Sequence, residues 1–172
     1  MRPIATAIRS VRLWSWLLPA VALLFGSSCG FHLQGRIALP KSLATVELDA
    51  VDSQSDFTHG LRAALESSGT MLLEPPGTAD SATIRILEDS ASEMLLSVNA
   101  LNVPTSYRLT YAVKFTVSVG GHELISAEEH KLVRDYTFDE ATLLAKQHER
   151  DVLSAALAAE LVDVVMRRLA SL

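Results

Sequence analysis

The chain has 172 residues, with 15 Lys and Arg against 20 Asp and Glu, a formal net charge of −5 and a pI near 5.5. That balance excludes a nucleic-acid binder working through a broad basic field, and one cysteine excludes an internal disulfide framework or a zinc site built on several thiolates. The apolar content of 49% suits a packed core rather than a disordered chain, and no uninterrupted apolar run of about 20 residues exists to build a multi-span membrane protein.

Residues 1–28 read differently from the rest. Arg2, Arg9 and Arg12 carry all of the segment's side-chain charge, and no Asp or Glu precedes Glu47. The short apolar run Leu17–Phe25 follows, then the small residues Gly26, Ser27 and Ser28. A basic start, a short apolar stretch and small residues at a cut describe a secretory signal peptide. As a helix, Leu13–Phe25 rises only about 20 Å, short of a hydrocarbon core of roughly 30 Å. The small residues before Cys29 resemble a bacterial lipobox, although Gly26 stands where that pattern usually carries Leu. The resemblance implies that Cys29 is acylated and becomes the mature N-terminus. Gly30 in place of Asp implies sorting to the outer membrane. Ordinary secretion with Cys29 as a free thiol is the plainer alternative, but an unpaired cysteine is awkward in an exported chain. The expected organisation is therefore a cleaved leader (1–28), a lipidated arm (29–43) and a domain (44–172). Without the leader, 12 basic groups face 20 acidic ones, so the mature protein is acidic.

Gly30, Gly35 and Pro40 predict an extended arm. Val46, Leu48 and Ala50 alternate with Glu47 and Asp49, a half-buried strand. Phe57, Leu61, Ala64 and Leu65 share one helical face; Ser55 or Asp56 is placed to cap the start and Gly69 to end it. Met71–Leu73 predicts a second strand, stopped by Pro75-Pro76-Gly77. Ile84 and Ile86 open a third that continues, through a bulge near Ser90, to Asn99. After an Asn102–Pro104 turn, Tyr107, Leu109, Tyr111, Val113, Phe115, Val117 and Val119 occupy every odd position, a strong period-2 signal with one packed face. Gly120-Gly121 suits a tight hairpin turn into a fifth segment, 123–136.

A long helix is expected from Ala141 to Leu169, with Thr137 and Glu140, or Asp139, at its cap. Its apolar column is Leu153, Leu157, Leu161 and Val164, and Asp163 precedes Arg167 at a favourable spacing. The order β-α-β-β-β-β-α predicts an α+β, two-layer sandwich: one mixed or antiparallel sheet with two amphipathic helices on one face.

Catalytic and metal chemistry is not legible. The five histidines are scattered, without HxxxH or HExxH spacing, and His122 with His130 is the one pair placed to meet. Gly120-Gly121 lacks a phosphate-loop frame and no GxSxG elbow occurs. Glu88-Asp89 and Glu128-Glu129 are adjacent on strands, so each pair should face opposite sides rather than form a dyad. No enzyme activity, metal or cofactor is expected beyond covalent lipid on Cys29. A periplasmic hydrolase would need a pocket with a base near Ser or Asp, which the sequence does not offer.

Several strings in this layout resemble the LptE family of lipopolysaccharide-assembly lipoproteins: Cys29-Gly-Phe-His-Leu-Gln-Gly35, the tyrosine strand from Tyr107, Tyr136-Thr-Phe-Asp139, and Leu144-Ala145-Lys146 followed by Glu149. The resemblance implies a sheet of about four strands, so that two of the five segments would belong to one strand. It also implies an outer-membrane protein that plugs an LptD-type β-barrel and helps insert lipopolysaccharide at the surface. A barrel lumen is polar, and Arg108, Thr110, Lys114, Thr116 and Ser118 would supply a matching face. An acidic domain repels an anionic lipid at long range, so a local cation is needed. The family motif assigns lipopolysaccharide contact to Lys146. The family's second basic contact precedes the tyrosine strand, where Ala100–Ser106 has no Lys or Arg; Arg108 is the substitute. The alternative is a stand-alone lipid-anchored module that binds another envelope ligand.

Overall fold

The computed structural model describes residues 37–172 except 75, 79–80 and 138–142, and describes 143–146 by backbone only. Its elements are β1 (Thr45–Ala50), α1 (Asp56–Ser67), β2 (Met71–Leu73), β3 (Ala82–Val98), β4 (Pro104–Val119), β5 (His122–Thr137) and α2 (Leu143–Ala170). This is the predicted α+β order, and the boundaries have local causes. The Ser55 hydroxyl accepts from the Thr58 N–H at 3.0 Å and caps α1, with Asp56 in the first turn, where a carboxylate meets the positive helix end. At the other end, Gly69 adopts φ +92°; its N–H reaches the Glu66 carbonyl and that of Thr70 the Leu65 carbonyl, a Schellman motif that glycine makes without steric penalty. Gly120 and Gly121 both have positive φ and form the two-residue turn between β4 and β5.

The strands form one sheet in the order β2-β1-β3-β4-β5. β1 runs parallel to β2 and to β3, while β3, β4 and β5 form an antiparallel meander. The expectation of about four strands is corrected to five. Helix α1 carries the chain back so that Met71–Leu73 pairs with Thr45–Glu47 as a separate edge strand. The proline pair Pro75-Pro76 lacks the N–H donors needed to extend it. A second correction concerns β3: the bulge falls at Leu87, between the Ile86–Phe115 and Glu88–Lys114 pairs, not near Ser90. One extra residue there flips the side-chain parity from Glu88 as far as the next register shift, after Leu95.

Both helices cover the face bearing Leu109, Tyr111, Val113, Phe115 and Val117, all buried. α1 adds Phe57, Leu61 and Leu65; α2 adds Leu157, Leu161, Val162, Val165, Met166 and Leu169. The expected column drifts from Val164, which is half-buried, to Val165 and Leu169, as a period of 3.6 requires. The helices approach closely at Gly60, where a Cβ would lie 3.1 Å from Val162 Cγ2. Leu43, ahead of β1, is fully buried in the same core, and Ile37 and Leu39 pack against it. Of the expected α2 caps, Asp139 and Glu140 lie outside the described residues and Thr137 ends β5.

Among the described residues, Thr58 Oγ1 is a buried hydroxyl without a hydrogen-bond partner. An unpaired buried hydroxyl costs stability and valine has nearly its shape. Thr58→Val is therefore expected to stabilise the fold by about 1 kcal/mol, read as a rise in the midpoint of a chemical denaturation curve.

Candidate binding surfaces

The sheet face away from the helices is polar and ion-paired. Arg108, Thr110, Lys114, Thr116 and Ser118 all lie on it and are half-buried, as the alternation predicts. Arg108 binds Asp135 in a bidentate fork, Nε to Oδ1 at 2.7 Å and Nη2 to Oδ2 at 2.8 Å. Asp49 pairs with Arg85 at 2.7 Å and Glu129 with Lys131 at 2.6 Å. Lys114 stands between Glu88 on β3 and Glu129 on β5. Hydrogen bonding first and charge second push the Arg108 pKa up, while the bond from Arg108 pulls Asp135 down; Lys131 lowers Glu129 in the same way. Such exposed pairs add little stability; their effect is to set a nearly balanced, hydrophilic surface on one side of a packed sandwich.

The bulge at Leu87 turns Asp89 and Glu93 toward the helix side, opposite Val113 and Leu109. Neither carboxylate is left bare. Asp89 accepts from the Tyr111 hydroxyl at 2.7 Å and from the hydroxyl of Ser55, so one carboxylate links β3, β4 and the cap of α1. Glu93 accepts from the Tyr136 hydroxyl and faces Arg150 of α2 at 3.5 Å; the Tyr136 ring stacks on Tyr107 with centroids 5.7 Å apart. Arg134 to Glu160 and Arg168 to Glu128 add further strand-to-helix ion pairs.

Burial first, and the carboxylate partner second, push the Tyr111 and Tyr136 phenols well above their ordinary value of 10.0. A raised phenol pKa favours folding while the unfolded tyrosine remains neutral; that contribution is complete below pH 10 and is lost as pH rises through the folded value. The denaturation midpoint is therefore expected to fall above a pH of about 10, and less steeply in Tyr136→Phe. An equal slope in both proteins would contradict this account.

β3 and β4 meet in a hairpin end built around Asn99. Its side-chain carbonyl accepts from the Leu101 N–H at 2.9 Å and the Val103 N–H at 3.0 Å, and Asn102 takes the left-handed φ of +63° that asparagine tolerates. Beside this end, Leu96, Ser106, Asp135, Tyr136, Thr137 and Glu149 line a hollow of about 430 Å³. Lys146 stands on the backbone of α2 one turn before Glu149 and Arg150, near the same end; its side chain lies outside the described residues, and so does Cys29. Arg108 reaches the hollow's rim through Asp135, and its fork has more N–H donors than that pair uses.

The two histidines placed to meet do not. His122 pairs with Val119 and His130 with Val113. The His130 ring stacks on Phe115 at 6.0 Å and contacts Glu128 at 2.9 Å. Glu128 faces the helices and Glu129 the opposite side, as expected of strand neighbours. Among the described residues no group of His, Cys, Asp or Glu is arranged to hold a metal ion. The carboxylate–tyrosine links escaped the sequence reading because they depend on the parity flip at Leu87. The one legible signal was the odd-position tyrosines, whose hydroxyls need partners when buried.

Fold and surface together define a two-layer α+β domain with one helix-covered face and one hydrophilic, ion-paired face. A family model described as LptE, Lipopolysaccharide-assembly, matches residues 43–169, and the chain belongs to that family. A relative from Yersinia enterocolitica, the LPS-assembly lipoprotein LptE, is 26% identical over 153 residues, covering 89% of this chain and 73% of its own. Among solved structures, rare lipoprotein B from Shewanella oneidensis superposes with a TM-score of 0.67 at 25% identity, covering 74% of this chain and 94% of that one. Lipoprotein B from Nitrosomonas europaea does so with a TM-score of 0.65 at 23% identity, covering 83% and 91%.

Proposed function

We propose that this protein is an outer-membrane lipoprotein of lipopolysaccharide assembly, anchored by acylated Cys29 and seated as a plug in an LptD-type β-barrel. The observation that supports this best is the asymmetry of the sheet. One face is sealed by two helices; the other carries Arg108, Lys114, Arg85 and Lys131 balanced against Asp135, Glu88, Asp49 and Glu129. A hydrophilic, nearly neutral, rigid face matches the polar lumen of a large barrel, and insertion of a lipid by such a pair requires no bond to be made or broken in the plug. Lys146 and Arg108, both near the hollow at the hairpin end, are the cations offered to the ligand's phosphates.

The test is a pull-down from membranes of the tagged full chain in mild detergent, with the partner identified by mass. A large β-barrel is expected. Recovery as a free monomer, with normal surface lipopolysaccharide in cells lacking the chain, would defeat the proposal and favour the stand-alone module. For the ligand contact, Lys146→Glu is expected to weaken lipopolysaccharide binding about tenfold, the scale of a lost charge-assisted bond. The circular-dichroism spectrum and barrel association should not change. Equal affinity in both proteins would make Lys146 an ordinary surface lysine.

A further inference from the structure

The two edges of the sheet differ. β2 has three residues and two prolines follow it in the sequence, so that edge is blunted. β5 bounds the other side with 16 residues. From Glu128 to Thr137 every residue of β5 pairs one-for-one with β4, and among the described residues no strand lies beyond it. Its outward N–H and C=O groups therefore form a regular row open to a further strand. Charges on a strand commonly guard such an edge, but those of this stretch are already engaged within the chain. Glu128 binds Arg168, Glu129 binds Lys131, Arg134 binds Glu160 and Asp135 binds Arg108. Among them Val133, paired with Thr110 of the hydrophilic face, is an apolar side chain left 53% exposed.

We infer that β5 pairs with β5 of a second copy of this chain, antiparallel, about a two-fold axis through Val133. In a symmetric pair the same patch meets itself, so the residue at the axis fixes every other contact. With Val133 at the axis, Lys131 faces Asp135 twice, Leu132 faces Arg134, His130 faces Tyr136, and the two exposed valines meet. No like charges are opposed. With Lys131, Arg134 or Asp135 at the axis, a residue would face its own charge; with Leu132 there, Glu129 would face Asp135. Like charges directly opposite destabilise a strand pair, whereas opposite charges and β-branched pairs stabilise it. An axis at His130 or earlier carries the pairing into the irregular stretch between Ile125 and Glu128. The axis is perpendicular to the sheet, so both copies keep their helices on one side and their hydrophilic faces join. Pairing over Glu129–Thr137 gives an interface near the lower bound of about 1,000 Å², so the association is reversible, with a Kd on the order of 10 μM. It holds whether or not the chain seats in a barrel.

The test uses the full chain purified in mild detergent. At about 100 μM, ten times that Kd, density-matched analytical ultracentrifugation is expected to show a dimer that dissociates on dilution. Val133→Cys should give a covalent dimer on a non-reducing gel after mild oxidation, because facing Cα atoms about 5 Å apart suit a disulfide. Thr137→Cys should not, since its copies would stand roughly 26 Å apart along the strands. The parent chain, whose one cysteine is Cys29, is the control. Val133→Lys, which opposes two ammonium groups at the axis, should weaken the dimer at least tenfold and leave the melting curve of the chain unchanged. A monomer at every concentration would overturn the inference. So would cross-linking at 137 as efficient as at 133, or a Val133→Lys chain that dimerises as the parent does.

Discussion

In cells depleted of the partner barrel, Cys29→Ser is expected to move the protein from the membrane pellet to the soluble fraction, with its melting curve unchanged. The physical reason is additive. A single myristoyl chain gives only marginal membrane binding, about 10⁴ M⁻¹, and each further buried methylene contributes about 0.8 kcal/mol, so several chains anchor firmly and none anchors not at all. Among the described residues no helix is long and apolar enough to cross a membrane. The described core runs from Ile37 and Leu39 onward, and the melting curve is the control on the fold. Membrane fractionation with palmitate labelling reads the result. A serine variant that still pelleted in cells depleted of the barrel would show that lipid on Cys29 is not the anchor.

Phe115→Ala should cost about 4 kcal/mol, the range of a large aromatic deleted from a core that cannot collapse around the void. Phe115 is fully buried in β4. It pairs with Ile86 on one side and Glu128 on the other, and its ring stacks on His130. With strands on both sides and helices above, the surroundings have little freedom to move in. For a domain of this size that loss is a large share of total stability, so the variant should unfold at much lower denaturant or accumulate poorly. Phe115→Leu, which keeps most of the volume, should lose far less. Similar losses in both variants would mean that the ring's volume is not what holds this layer.

These two predictions draw on different parts of what the sequence makes visible. Ser55, Gly69 and Gly120-Gly121 announce their cap, helix end and turn because the cause is local: a hydroxyl reaching an N–H three residues on, or a backbone angle that needs no Cβ. The odd-position run from Tyr107 to Val119 is legible because β4 stays regular where it packs. Family strings such as Cys29-Gly-Phe-His-Leu bring the expectation of a lipoprotein, and the match over residues 43–169 bears out the family. The Leu87 bulge left no comparable mark. Alternation reads either way across one inserted residue, so nothing in the sequence marked Asp89 and Glu93 as partners of buried tyrosines. The separate β2 and its place beside β1 depend on pairing 26 positions apart, Thr45 with Met71, which no window of neighbouring residues contains.

The chain's own letters thus determined its elements, the polar and apolar faces of β4 and the acidic character of the domain, because each follows from residue type at short range. Tertiary structure decided the strand order, the bulge, the carboxylate–tyrosine links and the union of Leu96, Asp135 and Glu149 around one hollow. Those depend on which distant backbone edges satisfy each other's hydrogen bonds, a choice made only when the whole sheet closes its ladder and buries one face.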